Sequence, residues 1–219
     1  MKPTFLGRRL SLKIIGVAIG AALSADLLAA IEWGKEYVAV KSPQPSEVAG
    51  KIEVLEFFSY TCPHCFKLEG TIGPWSKRLP ADVAFHRRPV ASSESTLPLA
   101  RVYFALEAMG VLEKAHLQVF DAFQEQGVPL NREKTLFEWI GKQGLDVKQF
   151  EDTYRSFGVQ TKVSRAKQLS QAFDINAVPT LVVGGKYLTS ASLVGSKDAL
   201  PKVLDELLAL VRKETRGRV

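Results

Sequence analysis

The residues of this chain with the clearest chemical potential are Cys62, Pro63, His64 and Cys65, which contain its only two cysteines. A secreted chain stabilised by structural disulfides needs more cysteines at wider spacing. Two thiols this close can bridge only locally, so their chemistry is thiol–disulfide exchange rather than stapling. Pro63 is a favoured first helical residue, which makes Cys62 the N-cap. Its sulfur then faces the free N–H groups of His64 and Cys65, where a capping oxygen usually sits. Those donors and the positive helix end favour a thiolate, and His64 adds a donor or a positive charge. Cys65 is one turn on, on the same side of the helix and within disulfide reach. Cys62 is charged only when the pair is reduced, so stabilising its thiolate makes the bridge a better oxidant.

A zinc site would need a second ligand pair, and His86 and His116 are distant in sequence. Phe66 stands where c-type haem attachment requires His. No cofactor is expected.

The pair must be held by a strand before it and a helix after it. Ile52–Phe58 is β-rich and nearly continuous in apolar character, as for a central strand covered on both faces. A helix follows over about 63–79, and Val83–Val90 reads as the next strand. From 91 to 172 the pattern turns helical. Leu99, Val102, Tyr103, Leu106 and Met109 form one apolar stripe, and Leu112, Ala115, Val119, Phe120 and Phe123 a second. Asn131 reads as the cap of a third helix, Asp146 with Gln149 resembles a capping box, and a longer helix spans Val159–Phe173. Strand character returns at Pro179–Val183. Gly184-Gly185 then reads as a two-residue hairpin turn into Lys186-Tyr187-Leu188, and Leu200–Val211 carries the stripe of a last helix. The fold class is α/β, with residues 31–90 and 173–219 forming the sheet domain and 91–172 inserted between them. Trp33, Trp75 and Trp139 read as core.

Glu56 stands mid-strand, six residues before Cys62. A buried carboxyl there would have a raised pKa and could take the proton of Cys65. Glu53, nearer the strand start, reads as the surface acid. Pro179 opens its strand, where a missing N–H is tolerated.

Residues 1–30 read as a secretory signal, with Lys2, Arg8, Arg9 and Lys13 preceding an apolar stretch and small residues. An uncleaved anchor is the alternative, and Arg8-Arg9 leaves general and twin-arginine export both open. Without this segment the formal charge falls from +6 to +3. No basic run with interleaved aromatics suggests nucleic acid.

Phe57-Phe58-Ser59-Tyr60-Thr61-Cys62-Pro63-His64-Cys65, with Ala177-Val178-Pro179-Thr180 far downstream, closely resembles the DsbA family of bacterial periplasmic dithiol oxidases. The likeness covers nearly all of the chain after residue 30, helical insertion included. It implies a thioredoxin-like fold and donation of the Cys62–Cys65 disulfide to reduced, unfolded secreted polypeptides through a mixed disulfide on Cys62. It further implies a cis Val178–Pro179 bond packed against the disulfide, which would turn the Val178 backbone toward an incoming chain. An acid at Glu56, paired with a basic residue for which Arg87 and Arg88 are the candidates, also follows, as does reoxidation by a quinone-linked membrane oxidase of the DsbB kind. Location in the periplasm is implied too. No segment is left over for a dimerisation domain, so a monomer is expected. The competing readings are a thiol–disulfide reductase or isomerase, and a peptide-binding chaperone that does not turn over.

Overall fold

In a computed structural model of the chain, the described residues are 31–216. The expected signal segment lies outside them. Five strands form one mixed sheet in the order β1-β5-β4-β2-β3. These are β1 (Val38–Ala39), β2 (Ile52–Phe58), β3 (Val83–Pro89), β4 (Thr180–Val183) and β5 (Tyr187–Thr189). The first crossover, β2 to helix α1 (Pro63–Lys77) to β3, makes the only parallel pairing among the described strands. A parallel neighbour needs such a helical return, whereas β4 and β5 join through a tight turn.

Strand β2 is central, and alternation along it assigns its side chains to two faces. Val54 packs with Leu181 and Val183 beneath Leu68, Ile72 and Trp75 of α1 and beneath α8 (Leu200–Arg216). Leu55 and Phe57 meet Val182, Leu169 and Phe173 on the other face. Both faces are covered, as the near-continuous apolar run requires.

Five helices separate β3 from β4 in the chain: α2 (Leu97–Ala108), α3 (Leu112–Gln124), α4 (Glu133–Lys142), α5 (Val147–Tyr154) and α6 (Phe157–Ala172). Their shared core includes Phe58, Tyr60 and Cys65. The buried half of the cysteine motif is therefore gripped by the helices as well as by the sheet. A short α7 (Ala191–Val194) precedes α8. Among the described residues, no helix is long and apolar enough to cross a membrane.

Four local expectations need correction. Arg132, not Asn131, is the N-cap of α4, because the Pro129–Arg132 turn, closed by Arg132 N–H to Pro129 O, takes up Asn131. Asp146 does cap α5, accepting from Gln149 N at 2.9 Å. The hairpin loop has three residues, since Val183 pairs with Tyr187. Lys186 belongs to the turn, where it donates to Val183 O, and Gly184 and Gly185 both have positive φ (59° and 65°). A Cβ on Gly185 would stand 1.9 Å from Gln44 O, so only glycine allows the link 41–51 to pass there. Trp75 and Trp139 are core, but Trp33 is 71% exposed. Tyr37 takes the inward place instead, edge-on to Tyr187 at 5.5 Å. Finally, Glu53 is buried rather than exposed (3%). The polar link folds back over it, Glu47 N–H donating to its Oε2 at 3.0 Å, with Arg88 Nη2 3.6 Å from Oε1.

Candidate active site

The turn after β2 is tied by Ser59. Its carbonyl accepts from Cys62 N at 3.0 Å, and its hydroxyl accepts from Thr61 N at 3.2 Å. Cys62 leaves this turn extended (φ −97°, ψ 112°) as the N-cap of α1, with Pro63 opening the helix. Cys65 N–H reaches both the carbonyl and the Sγ of Cys62, at 3.1 and 3.3 Å. The sulfur thus occupies the capping position.

Both cysteines are free; Cys62 is half-buried and Cys65 fully buried. Their environments separate their acidities. A hydrogen bond from the Cys65 thiol to the Cys62 sulfur is the largest influence, outweighing desolvation. With the backbone N–H groups of Cys65 and His64 and the charge of the His64 imidazole, it brings Cys62 down from 9.0 to about 6. Cys65 is pushed far up, first by giving that hydrogen bond, then by burial and by the negative charge of the Cys62 sulfur. One sulfur is built to be a thiolate and the other a thiol.

Across from them, the Val178–Pro179 peptide is cis. Val178 O lies 3.4 Å from Cys62 Sγ, within hydrogen-bond reach of the protonated thiol, which sets this backbone beside the reactive sulfur. The structure so brings together Cys62, Pro63, His64, Cys65, Val178 and Pro179.

Glu56 is fully buried on the face of β2 that looks toward α1. It opposes Arg87 in the β2–β3 register, and Arg87 Nε lies 3.1 Å from Glu56 Oε2. That N–H is nevertheless aimed elsewhere. Arg87 gives a bidentate pair to Glu69 of α1 (Nε–Oε1 3.0 Å, Nη2–Oε2 2.7 Å), and neither Glu56 oxygen receives a hydrogen bond from the described residues. Glu69 also contacts His116 Nε2 at 3.1 Å, and His116 Nδ1 meets the Tyr60 hydroxyl at 2.7 Å. Burial, followed by the charge of Glu69, therefore lifts Glu56 to about 8 against the attraction of Arg87. Burial is the largest single influence on Glu69 and opposes its charge, but the hydrogen bonds and charges of His116 and Arg87 together outweigh it and hold the carboxyl below its ordinary range.

Of the two basic candidates, Arg87 is the partner of Glu56; Arg88 turns to Glu47 and Glu53. Tyr60, Glu69 and His116 were missed as members of the site. Glu69 had a readable signal, for it lies at i+4 from Cys65 and so faces the same way. His116 interrupts an otherwise apolar stripe, a weaker hint. Among the described residues, no group of three or more His, Cys, Asp or Glu is placed to hold a metal ion.

The proton on Glu56 has a measurable consequence. Its folded pKa of about 8 exceeds the ordinary 4.5, so the folded state keeps a proton that the unfolded chain releases. This stabilisation is complete below pH 4.5 and is lost as pH rises toward 8. Glu56→Gln keeps the neutral form, and urea unfolding should show it more stable than wild type by about 2–3 kcal/mol at pH 7. At pH 4 the gain should vanish.

The sequence matches the family model described as a DSBA-like thioredoxin domain over residues 72–207, a match that begins beyond the cysteine pair. The thiol:disulfide interchange protein DsbA of Bordetella parapertussis is 40% identical over 200 residues, covering 88% of this chain and 94% of that one. DsbA of Pseudomonas syringae pv. tomato is 37% identical over 199 residues, covering 89% and 93%. Among solved structures, Pseudomonas aeruginosa DsbA superposes with TM-score 0.82 at 36% identity, covering 85% of this chain and 97% of that one. The oxidoreductase NmDsbA1 of Neisseria meningitidis gives 0.77 at 32%, covering 85% and 96%. With an N-capping thiolate, a buried partner thiol, a thioredoxin-like sheet interrupted by helices and these relatives, the chain belongs to the DsbA family and is a thiol:disulfide oxidoreductase.

Proposed function

We propose that the protein works in the periplasm as a monomeric oxidant of reduced, unfolded secreted polypeptides. The observation that carries this is the Cys62 sulfur in the N-cap position of α1, held toward its thiolate with a pKa of about 6. A substrate thiolate attacks Cys62 Sγ of the oxidised pair, the new S–S bond forms, and Cys65 Sγ leaves with the electron pair of the old one. Cys65 is a strong base in this site, and protonated Glu56 supplies its proton. In the reverse direction the Glu56 carboxylate takes that proton back. A second substrate thiolate then attacks the substrate sulfur of the mixed disulfide, which releases oxidised substrate and Cys62 as thiolate. The Val178 backbone, held beside Cys62, offers an edge to which the substrate chain adds as a strand. Residues 31–90 with 173–219 serve as the thioredoxin-like domain, and 91–172 as an inserted helical domain that walls the buried thiol. Reoxidation falls to a quinone-linked membrane oxidase of the DsbB kind.

The size of the redox bias follows from the acidity. At pH 7 a shift from 9.0 to about 6 favours the reduced form by at most ~1.4 kcal/mol, about 30 mV. Solvent screening of the half-exposed sulfur lowers that to roughly half. The sign of the effect comes from the stabilised thiolate, first through the Cys65 thiol hydrogen bond and then through the cap N–H groups of Cys65 and His64.

The test is a redox titration against glutathione across pH. Reduction takes up two protons below the pKa of Cys62 and one above it. The potential should fall by about 59 mV per pH unit at acid pH and by about 30 mV per unit above pH ~6. An unbroken steep slope to pH 8 would mean that Cys62 holds its proton, and the oxidant reading would fail. A potential near the roughly −270 mV of thioredoxin would favour the reductase reading instead.

A further inference from the structure

Beside Val178 a cavity of about 560 Å³ opens between the end of β3, the last turns of α6 and the loop 174–178. Val90 and Ile175 give it apolar walls, and Lys167 stands on its rim. The backbone N–H groups of Asn176, Ala177 and Val178 have no acceptor among the described residues. They form an open donor edge leading from the reactive sulfur into this cavity.

The charges around it are unequal. Asp174 is already answered by Lys41 Nζ at 2.6 Å and by Asn176 Nδ2 at 3.2 Å. The Ser170 hydroxyl is spent on Ala166 O of its own helix at 2.9 Å. Lys167, by contrast, has no ion-pair partner among the described residues. The cavity therefore presents one uncompensated positive charge over walls that suit a short aliphatic stem.

We propose that this cavity is a substrate subsite, receiving a side chain within three residues of the reacting cysteine, and that Lys167 makes it prefer glutamate. An added strand advances ~3.3 Å per residue, so a side chain that near reaches from Cys62 past Val178. The two methylenes of glutamate lie along Val90 and Ile175, and its carboxylate meets Lys167. This subsite rests on the oxidase reading given above and adds a substrate preference to it.

The test uses the oxidised full chain and single-cysteine peptides bearing Glu, Gln or Lys at each position from three before to three after the cysteine. Stopped-flow measurement follows the peptide thiolate displacing Cys65 from Cys62. At one position glutamate should react about two- to fivefold faster than lysine, the range of an exposed ion pair. The difference should shrink in 1 M salt and reverse in Lys167→Glu. Comparing the two proteins cancels any effect of the peptide's own charge on its thiol. The neutral thiol 2-mercaptoethanol should react equally with both, showing that the variant is folded and its disulfide unchanged. A glutamate preference identical in wild type and Lys167→Glu, or none at any position, overturns the subsite. A wild type that fails to oxidise even 2-mercaptoethanol overturns the oxidase reading and the subsite with it.

Discussion

Cys65→Ala is expected to turn the protein from a catalyst into a trap, with oxidation of a reduced model protein lost and a stable mixed disulfide accumulating on Cys62. Cys65 is the leaving group when substrate attacks and the thiol that resolves a stalled mixed disulfide. Without it, Cys62 can still exchange with a disulfide, but nothing adjacent can release the product. Mass spectrometry after incubation with oxidised glutathione should find one adduct per chain, removed by dithiothreitol. Cys62→Ala should lose both oxidation and adduct formation, since Cys65 is fully buried. If peptide binding survives in Cys62→Ala while the wild type shows no turnover, the chaperone reading is correct. A finer comparison uses the chief stabiliser of the thiolate, the hydrogen bond from Cys65. Cys65→Ser keeps a donor and should hold Cys62 near a pKa of 6. Cys65→Ala should let it climb toward 9.0, read from thiolate absorbance against pH.

Arg87→Met should carry the largest cost in stability. Among the described residues Arg87 is the one cation placed against both Glu56 and Glu69, and its side chain is only 13% exposed. The methionine fills a comparable volume but strands the Glu69 carboxylate, which keeps only His116 as a partner. Removing one member of a buried ion pair typically costs about 3–5 kcal/mol, because the remaining charge is left uncompensated. The loss should be seen in urea unfolding of the oxidised protein at pH 7. It should shrink near pH 4, where the stranded carboxyl can take a proton. Adding Glu69→Gln to Arg87→Met removes the orphan charge and should return about half of the lost stability. An Arg87→Met protein as stable as wild type at pH 7 would mean that this network carries little of the fold.

These two experiments probe parts of the site that were unequally visible in the sequence. The cap was legible because every determinant is local: a strand, a turn, Cys62 and Pro63 in succession, with Cys65 one turn on. The near-continuous apolar run of Ile52–Phe58 likewise placed mid-strand Glu56 inside. Nearness to the strand start misjudged Glu53, because its cover is the 41–51 link, a polar stretch with no periodicity to show that it folds back. The Tyr60–His116–Glu69–Arg87 chain draws on the turn after β2 and on three elements, with partners up to 56 positions apart. Nothing local in any of those segments announces the others. Arg87 could be narrowed only to one of two neighbours, since a one-residue change of register exchanges the faces of a strand. The cavity beside Val178 depends on the end of α6 meeting the end of β3, and neither sequence pattern nor family motif points to it.

On the function proposed above the clients are unfolded chains, and for these the margins of the sheet matter. Such clients present unpaired backbone and would zip onto any long, bare strand, seeding co-aggregates. Here one margin is β1, only two residues long. The other is β3, whose centre carries His86, Arg87 and Arg88, with two of these side chains engaged by carboxylates. The N–H groups of residues 176–178, which have no acceptor among the described residues, lie instead beside the reactive sulfur. Lengthening β1, or neutralising the β3 charges, should make the protein precipitate with its own clients before it fails as an enzyme.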